Sequence, residues 1–297
     1  MQFQGCVLST DFLEPILAKF KLSAYTPFKV LVPLTPFVVF IILAIINHKL
    51  FKMKKSIFTL LVLVVTSISA QEEFYVGLHY FKVKSEYANE FIEAEKNYYS
   101  KIHKANIDSG NKIAWDMWRL SSENMDNSET IFVFAHLQEI NQPSRMGNPG
   151  KMFPEAELKM VAKQRRKMVM GTKFIQTVFK GGFVPSEATP PKVAILNFVN
   201  AKPGKWSELE NTMVNEIVPR LKKNSYVKGW GMHKIVSPSN DESDYIMASF
   251  YNSMNDYYKR RTPTNKISKS GLDRIKKMST MREGVRTEIL QLVLSER

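Results

Sequence analysis

Ala114-Trp115-Asp116-Met117-Trp118-Arg119-Leu120 returns 115 positions later as Gly229-Trp230-Gly231-Met232-His233-Lys234-Ile235. The same offset joins Phe91 to Trp206, Glu95 to Glu210 and Ile102 to Ile217 upstream. Downstream it joins Ile131 to Ile246, Thr172 to Thr287, Gln176 to Gln291 and Val178 to Val293. A period this long marks a duplicated folding unit rather than a short solenoid repeat. Within the quoted stretch Trp115 and Met117 fall on one face of a strand, and Trp118 and Leu120 on the other. Neither face suits water, so both need cover.

Outward from that stretch, residues 75–83 are aromatic and β-branched enough for a strand. Phe91, Ala94, Tyr98 and Ile102 recur at spacings of three or four within 86–106, the stripe of an amphipathic helix. Ser109-Gly110-Asn111 ends it. Residues 112–121 and 130–137 read as two strands, 154–170 as a helix and 174–179 as a closing strand. The second half repeats the order, with strands at 193–199, 227–236, 245–251 and 289–294 and helices at 205–223 and 271–283. The Pro-rich stretch 182–191 divides the halves, giving repeats at 71–184 and 185–297. The start of the first strand needs a gap of one or two residues to align.

The order β-α-β-β-α-β is the split βαβ, or ferredoxin-like, motif, and the fold class is α+β. Helices cover one sheet face and leave the other bare. Two bare sheets in one chain are expected to pack on each other. On these grounds 75–297 resembles the dimeric α+β barrel superfamily in its fused, two-repeat form, as in antibiotic-biosynthesis-monooxygenase-like and NIPSNAP-like proteins. The resemblance implies a pseudo-dimeric barrel. For function it implies cofactor-free oxygenation of aromatic substrates, haem breakdown, lactone isomerisation, or ligand binding and sensing. A fused pair already supplies its own dimer, so a monomer is expected, with an unpaired outer strand as the place a second molecule would add.

The front of the chain reads as targeting sequence. Met53-Lys54-Lys55 opens a basic segment, the run from 56 to 70 is uncharged and mostly apolar, and Ser67-Ile68-Ser69-Ala70 precedes polar Gln71. That is the layout of a signal peptide over 53–70, which places the mature protein in the periplasm or the medium and leaves only transient contact with the membrane. Upstream, 30–48 has the length of a membrane helix, interrupted by Pro33 and Pro36. Residues 1–52 are either such an anchor or an extension ahead of a true start at Met53. The single cysteine, Cys6, lies there, so 71–297 has no disulfide or thiol chemistry.

The chain carries +14. Its first seventy residues hold seven lysines against two acidic residues, which leaves +9 for 71–297. The cations gather at 159–173 and 259–277, as an anion or lipid-headgroup surface or as the solvated faces of two helices. Export argues against nucleic acid.

Chemistry-bearing residues are few. Trp118 aligns with His233 and Asp116 with Gly231, so alternate positions on one strand face differ in polarity between repeats. A pseudo-symmetric molecule with one working cavity would differ in that way. His79 and His233 are candidate bases or haem ligands, with Asp116 beside them. His136 is a further strand histidine, whereas His103 on the first helix is expected to face solvent. The resemblance implies a cavity to which Tyr80, Trp118, Asn197 and His233 could contribute. No metal-binding His spacing, phosphate loop, nucleophile elbow or dinucleotide fingerprint occurs. Three readings stay open: an exported protein binding a small apolar or aromatic ligand without a cofactor, an oxygenase-like or haem-handling enzyme, and an interaction scaffold.

Overall fold

The computed structural model describes residues 74–121, 128–140, 149–184, 190–236, 243–262 and 267–297. The signal segment and the upstream apolar stretch lie outside them. Residues Ala70–Arg297 form one compact unit.

The first repeat contains β1 (Phe74–Lys84), β2 (Ala114–Leu120), β3 (Glu129–Glu139) and β4 (Val169–Phe183). Its helices are α1, continuous through Ala88–Ala94, the π-helical Glu95–Tyr99 and Ser100–Asp108, and α2 (Glu155–Met168). The second repeat contains β5 (Val193–Ala201), β6 (Gly229–Ile235), β7 (Tyr245–Tyr251) and β8 (Arg282–Glu296). Its first helix, α3, runs through Trp206–Asn211, the π-helical Thr212–Ile217 and Val218–Lys222; α4 (Met254–Arg261) and α5 (Lys269–Met281) follow. The sequence reading did not include α4.

The eight strands close into a barrel in the order β1-β3-β2-β8-β5-β7-β6-β4. Each repeat supplies an antiparallel four-stranded sheet. Its long last strand begins beside its own first strand and ends beside the other repeat: β4 passes from β1 to β6, and β8 from β5 to β2. Both crossings carry a bulge, at Phe179/Gly181 and at Met117/Trp118, where the ladder bends from one sheet to the next. This exchange removes every sheet edge. The unpaired outer strand expected from sequence is therefore absent from the barrel, because the last strand of each repeat covers the second strand of the other.

Strand pairing corrects the repeat alignment. His233 pairs with Phe179 as Trp118 pairs with Leu292, so 115 is the true offset between β2 and β6. Trp118 also pairs with Val133 and His233 with Ile246, which sets β3 and β7 113 apart. By the same logic β4 and β8 are 113 apart, and β1 and β5 118. Ile246 is thus the equivalent of Val133, not of Ile131. In the helices, Phe91 matches fully buried Leu209, whereas Trp206 is 44% exposed.

Alternation along each strand splits the core in three. Phe81, Phe91, Trp115, Met117, Phe132 and Phe134 fill the layer under α1 and α2. Ile195, Leu209, Met232, Tyr245 and Met247 fill its counterpart in the second repeat. Leu78, Trp118, Val133, Leu196, Ile246 and Leu290 line the barrel interior. All three cores are complete within Ala70–Arg297, as expected of a domain able to fold on its own.

Candidate functional site

The barrel interior opens at one end into a cavity of about 400 Å³. Its wall is mostly apolar, including Val76, Leu78, Trp118, Ala135, Ala194, Ala248 and Phe250, with Asp116, Thr177, His233 and Arg297 as its polar members. Size and lining match small-molecule sites in general. At the other end a second hollow, of about 310 Å³, is bounded by Tyr80, Lys82, Lys173, Arg286 and Glu288.

Five polar side chains on the inner face stand where the other repeat has an apolar residue or glycine. Asp116 corresponds to Gly231, His233 to Trp118, Tyr80 to Phe198, Glu288 to Ile175 and Thr177 to Leu290. They form specific contacts. Arg297 Nη2 donates to Asp116 Oδ2 at 2.9 Å, and Nη1 stands 2.7 Å from Oδ1. Tyr80 donates its hydroxyl to Glu288 Oε2 at 2.7 Å, and Arg286 Nε donates to Glu288 Oε1 at 3.0 Å. Thr177 donates to the Val76 carbonyl at 3.0 Å.

His233 differs from the rest. Its ring is partly open to the cavity, lies against Phe179 at 5.4 Å between centroids, and keeps a buried Nδ1 without a hydrogen-bond partner among the described residues. Glycine at 231 makes room for it, since a Cβ there would stand 2.6 Å from His233 Nε2. Burial lowers the His233 pKa to about 4, so the imidazole is neutral at pH 7.

The structure divides the residues singled out from sequence. Asp116, Trp118 and His233 meet at the larger cavity; Tyr80 faces inward at the opposite end. His79 and Asn197 do not join them. His79 lies on the outer sheet face against Phe81 and Phe174, at 4.2 and 5.8 Å between centroids, and burial lowers its pKa. Asn197, also on the outer face, accepts from Thr287 at 3.1 Å.

His103 is buried, contrary to expectation. The π turn at Glu95–Tyr99 inserts a residue and advances the inward face, so Ser100, His103 and Asn106 turn toward the sheet with Ile102. His103 stacks on Trp115 at 4.8 Å, and Lys112 Nζ lies 3.0 Å from Nδ1 of both His103 and His136. Burial, then the Lys112 charge, lowers His103 to about 2 and His136 to about 3. Under the same helix Glu95 is buried and rises to about 7 through desolvation, opposed by Arg165, whose Nε donates to it at 2.6 Å. Arg165 lies over the rings of Phe81, Tyr99 and Phe91. This set clamps helix to sheet in the layer under α1 and α2, apart from the lumen residues.

Sequence reasoning missed Arg297 and Glu288. Glu288 shares the inward parity of Leu290 and could have been found from strand alternation. Arg297 could not, being 181 positions from Asp116.

No protein-family model matches the chain, and none of the curated proteins does. Among solved structures it is similar to a candidate monooxygenase from Fusobacterium nucleatum, with 14% identity and a TM-score of 0.56 over 76% of this chain and 95% of that one. The fold is a fused dimeric α+β barrel. Weaker likenesses are a candidate monooxygenase from Lactobacillus acidophilus (10% identity, TM-score 0.49, covering 76% of this chain and 96% of that one) and a haem-binding protein from Thermus thermophilus (8%, 0.41, 75% and 92%). Likeness at these identities speaks for fold, not activity.

The lumen residues do not fit a haem. Its propionates would need free cations, and Arg297, the cation lining the larger cavity, is held by Asp116.

Proposed function

We propose that the barrel lumen is a ligand site, taking a small, largely apolar or aromatic molecule whose one polar group meets His233 or the Asp116–Arg297 pair. One observation carries this reading. Five polar groups of the inner face sit at positions where the other repeat has an apolar residue or glycine, and three of the five line the larger cavity. A lumen that served only as core would have no use for that asymmetry, because buried polar groups cost stability unless paired. The basic and apolar layout of 53–70 supports export of this binding protein to the periplasm or the medium.

The oxygenase alternative draws on the fold shared with the Fusobacterium structure. A general base works best with a pKa near the operating pH. His233, held near 4, is a hydrogen-bond acceptor and a weak base, which favours binding over proton abstraction.

The test is titration with N-phenylnaphthylamine, an apolar fluorescent probe. Saturable binding is expected. Filling the lumen with Ala194→Leu and Ala248→Leu together should weaken it about tenfold or more while leaving the melting temperature unchanged or raised. Equal binding by the filled variant would remove the lumen as the site.

A further inference from the structure

Helix α5 is inside out. Toward the barrel it turns Met281, which is buried, with Gly271, Arg274 and Met278 partly covered. Toward solvent it turns Lys269, Leu272, Ile275 and Lys276, with Leu272 47% and Ile275 55% exposed. A helix packed on a sheet ordinarily buries its branched apolar side chains. Ile267, just before the helix, is also 54% exposed, and the Ser268 side chain accepts from the Gly271 amide at 3.2 Å to fix the first turn. The helix holds four cations, Lys269, Arg274, Lys276 and Lys277, against one acid, Asp273; Lys277 pairs with Glu216 at 2.7 Å.

We infer that this face docks on an anionic membrane surface, with Leu272 and Ile275 at the acyl boundary and Lys269 and Lys276 on the headgroups. The mixture of charges and apolar groups selects the occupant. A second copy of the chain meeting the same face would set lysines against lysines, as any two-fold contact repeats its own surface. A nucleic acid would satisfy the cations and leave Leu272 and Ile275 in water. An anionic bilayer takes both, since lysine stems run along apolar surface while their ammonium groups reach the phosphates. Among the described residues no helix is long and apolar enough to cross a membrane, so this contact lies in the interface plane. It is independent of what the lumen holds.

The test uses residues 71–297, sedimented with vesicles of phosphatidylcholine alone or with one-quarter phosphatidylglycerol. Binding to the anionic vesicles alone is expected, and weaker at high salt. Replacing Lys269 and Lys276 by Gln should reduce it roughly thirtyfold, the combined effect of two cations at a charged surface. Leu272→Ser with Ile275→Ser should reduce it about tenfold or more. Both pairs are exposed, and an unchanged melting temperature verifies that the variants fold. Several results would overturn the inference: no sedimentation, equal sedimentation by all variants, or equal sedimentation on neutral vesicles. So would self-association of the wild type that the Leu272/Ile275 variant loses, or duplex DNA binding that this variant keeps.

Discussion

Acidification from pH 6.5 to pH 5 is expected to cost this protein stability, along a slope that steepens from roughly 1 kcal/mol per pH unit at the start to roughly 3 kcal/mol per pH unit near pH 5. The cause is three buried imidazoles. His233, His136 and His103 fall to about 4, 3 and 2, mainly by desolvation. In the unfolded chain each takes a proton near pH 6.5, whereas in the fold it stays neutral. The unfolded state then binds more protons, and stability drops as pH falls through this window. Glu95 acts in the other direction. Raised to about 7, it is protonated in the fold before the unfolded carboxyl is, so it adds stability as pH falls from 7 toward its unfolded value. Three histidines against one carboxyl leave a net of about two protons near pH 5, which sets the slope there. Lys112, lowered to about 8, contributes only above that pH. Urea midpoints measured across the window test this, with His136→Gln removing about one proton from the slope. A flat profile would mean that these rings are solvated.

Gly182→Ala is expected to cost about 3 kcal/mol or more. This glycine sits where β4 meets β6, with φ +153°, and a Cβ would collide with the Trp230 carbonyl oxygen and lie 2.9 Å from Gly231 Cα. Both obstacles are backbone, so relief requires the two strands to part at the seam that closes the barrel beside the larger cavity. Gly284 in β8 is the control. Nothing lies within 4 Å of a Cβ there, and Gly284→Ala should stay within about 0.5 kcal/mol of wild type. Urea denaturation of the two variants settles the matter; equal stability would show that the seam yields.

The repeat was legible because β2 and β6 kept large residues in matching places, with Trp115 over Trp230 and Met117 over Met232. The remaining strands drifted, because connections of different length set them 118 or 113 apart, and matches such as Thr172 with Thr287 or Gln176 with Gln291 fell two positions from equivalence. The long strands β4 and β8 read as short from sequence. Only their apolar middles resemble strands, while their polar first halves are held by backbone pairing to β1 and β5. Helix α4 is eight residues long and has no fully buried residue, too short for the periodicity that marked the other helices; the Ser253 side chain caps it by accepting from the Asp256 amide. At the site, alternation placed Asp116, Trp118 and His233 on one face correctly. The same rule applied to 194, 196 and 198 would have turned Asn197 away, and it puts His79 with Phe81 rather than with Tyr80.

The most direct test of the lumen reading is a crystal structure of residues 71–297 with N-phenylnaphthylamine. The expected result is the probe inside the barrel between Trp118, Ala248 and His233. An empty lumen, with the probe bound only on the outer surface or between helix and sheet, would contradict it.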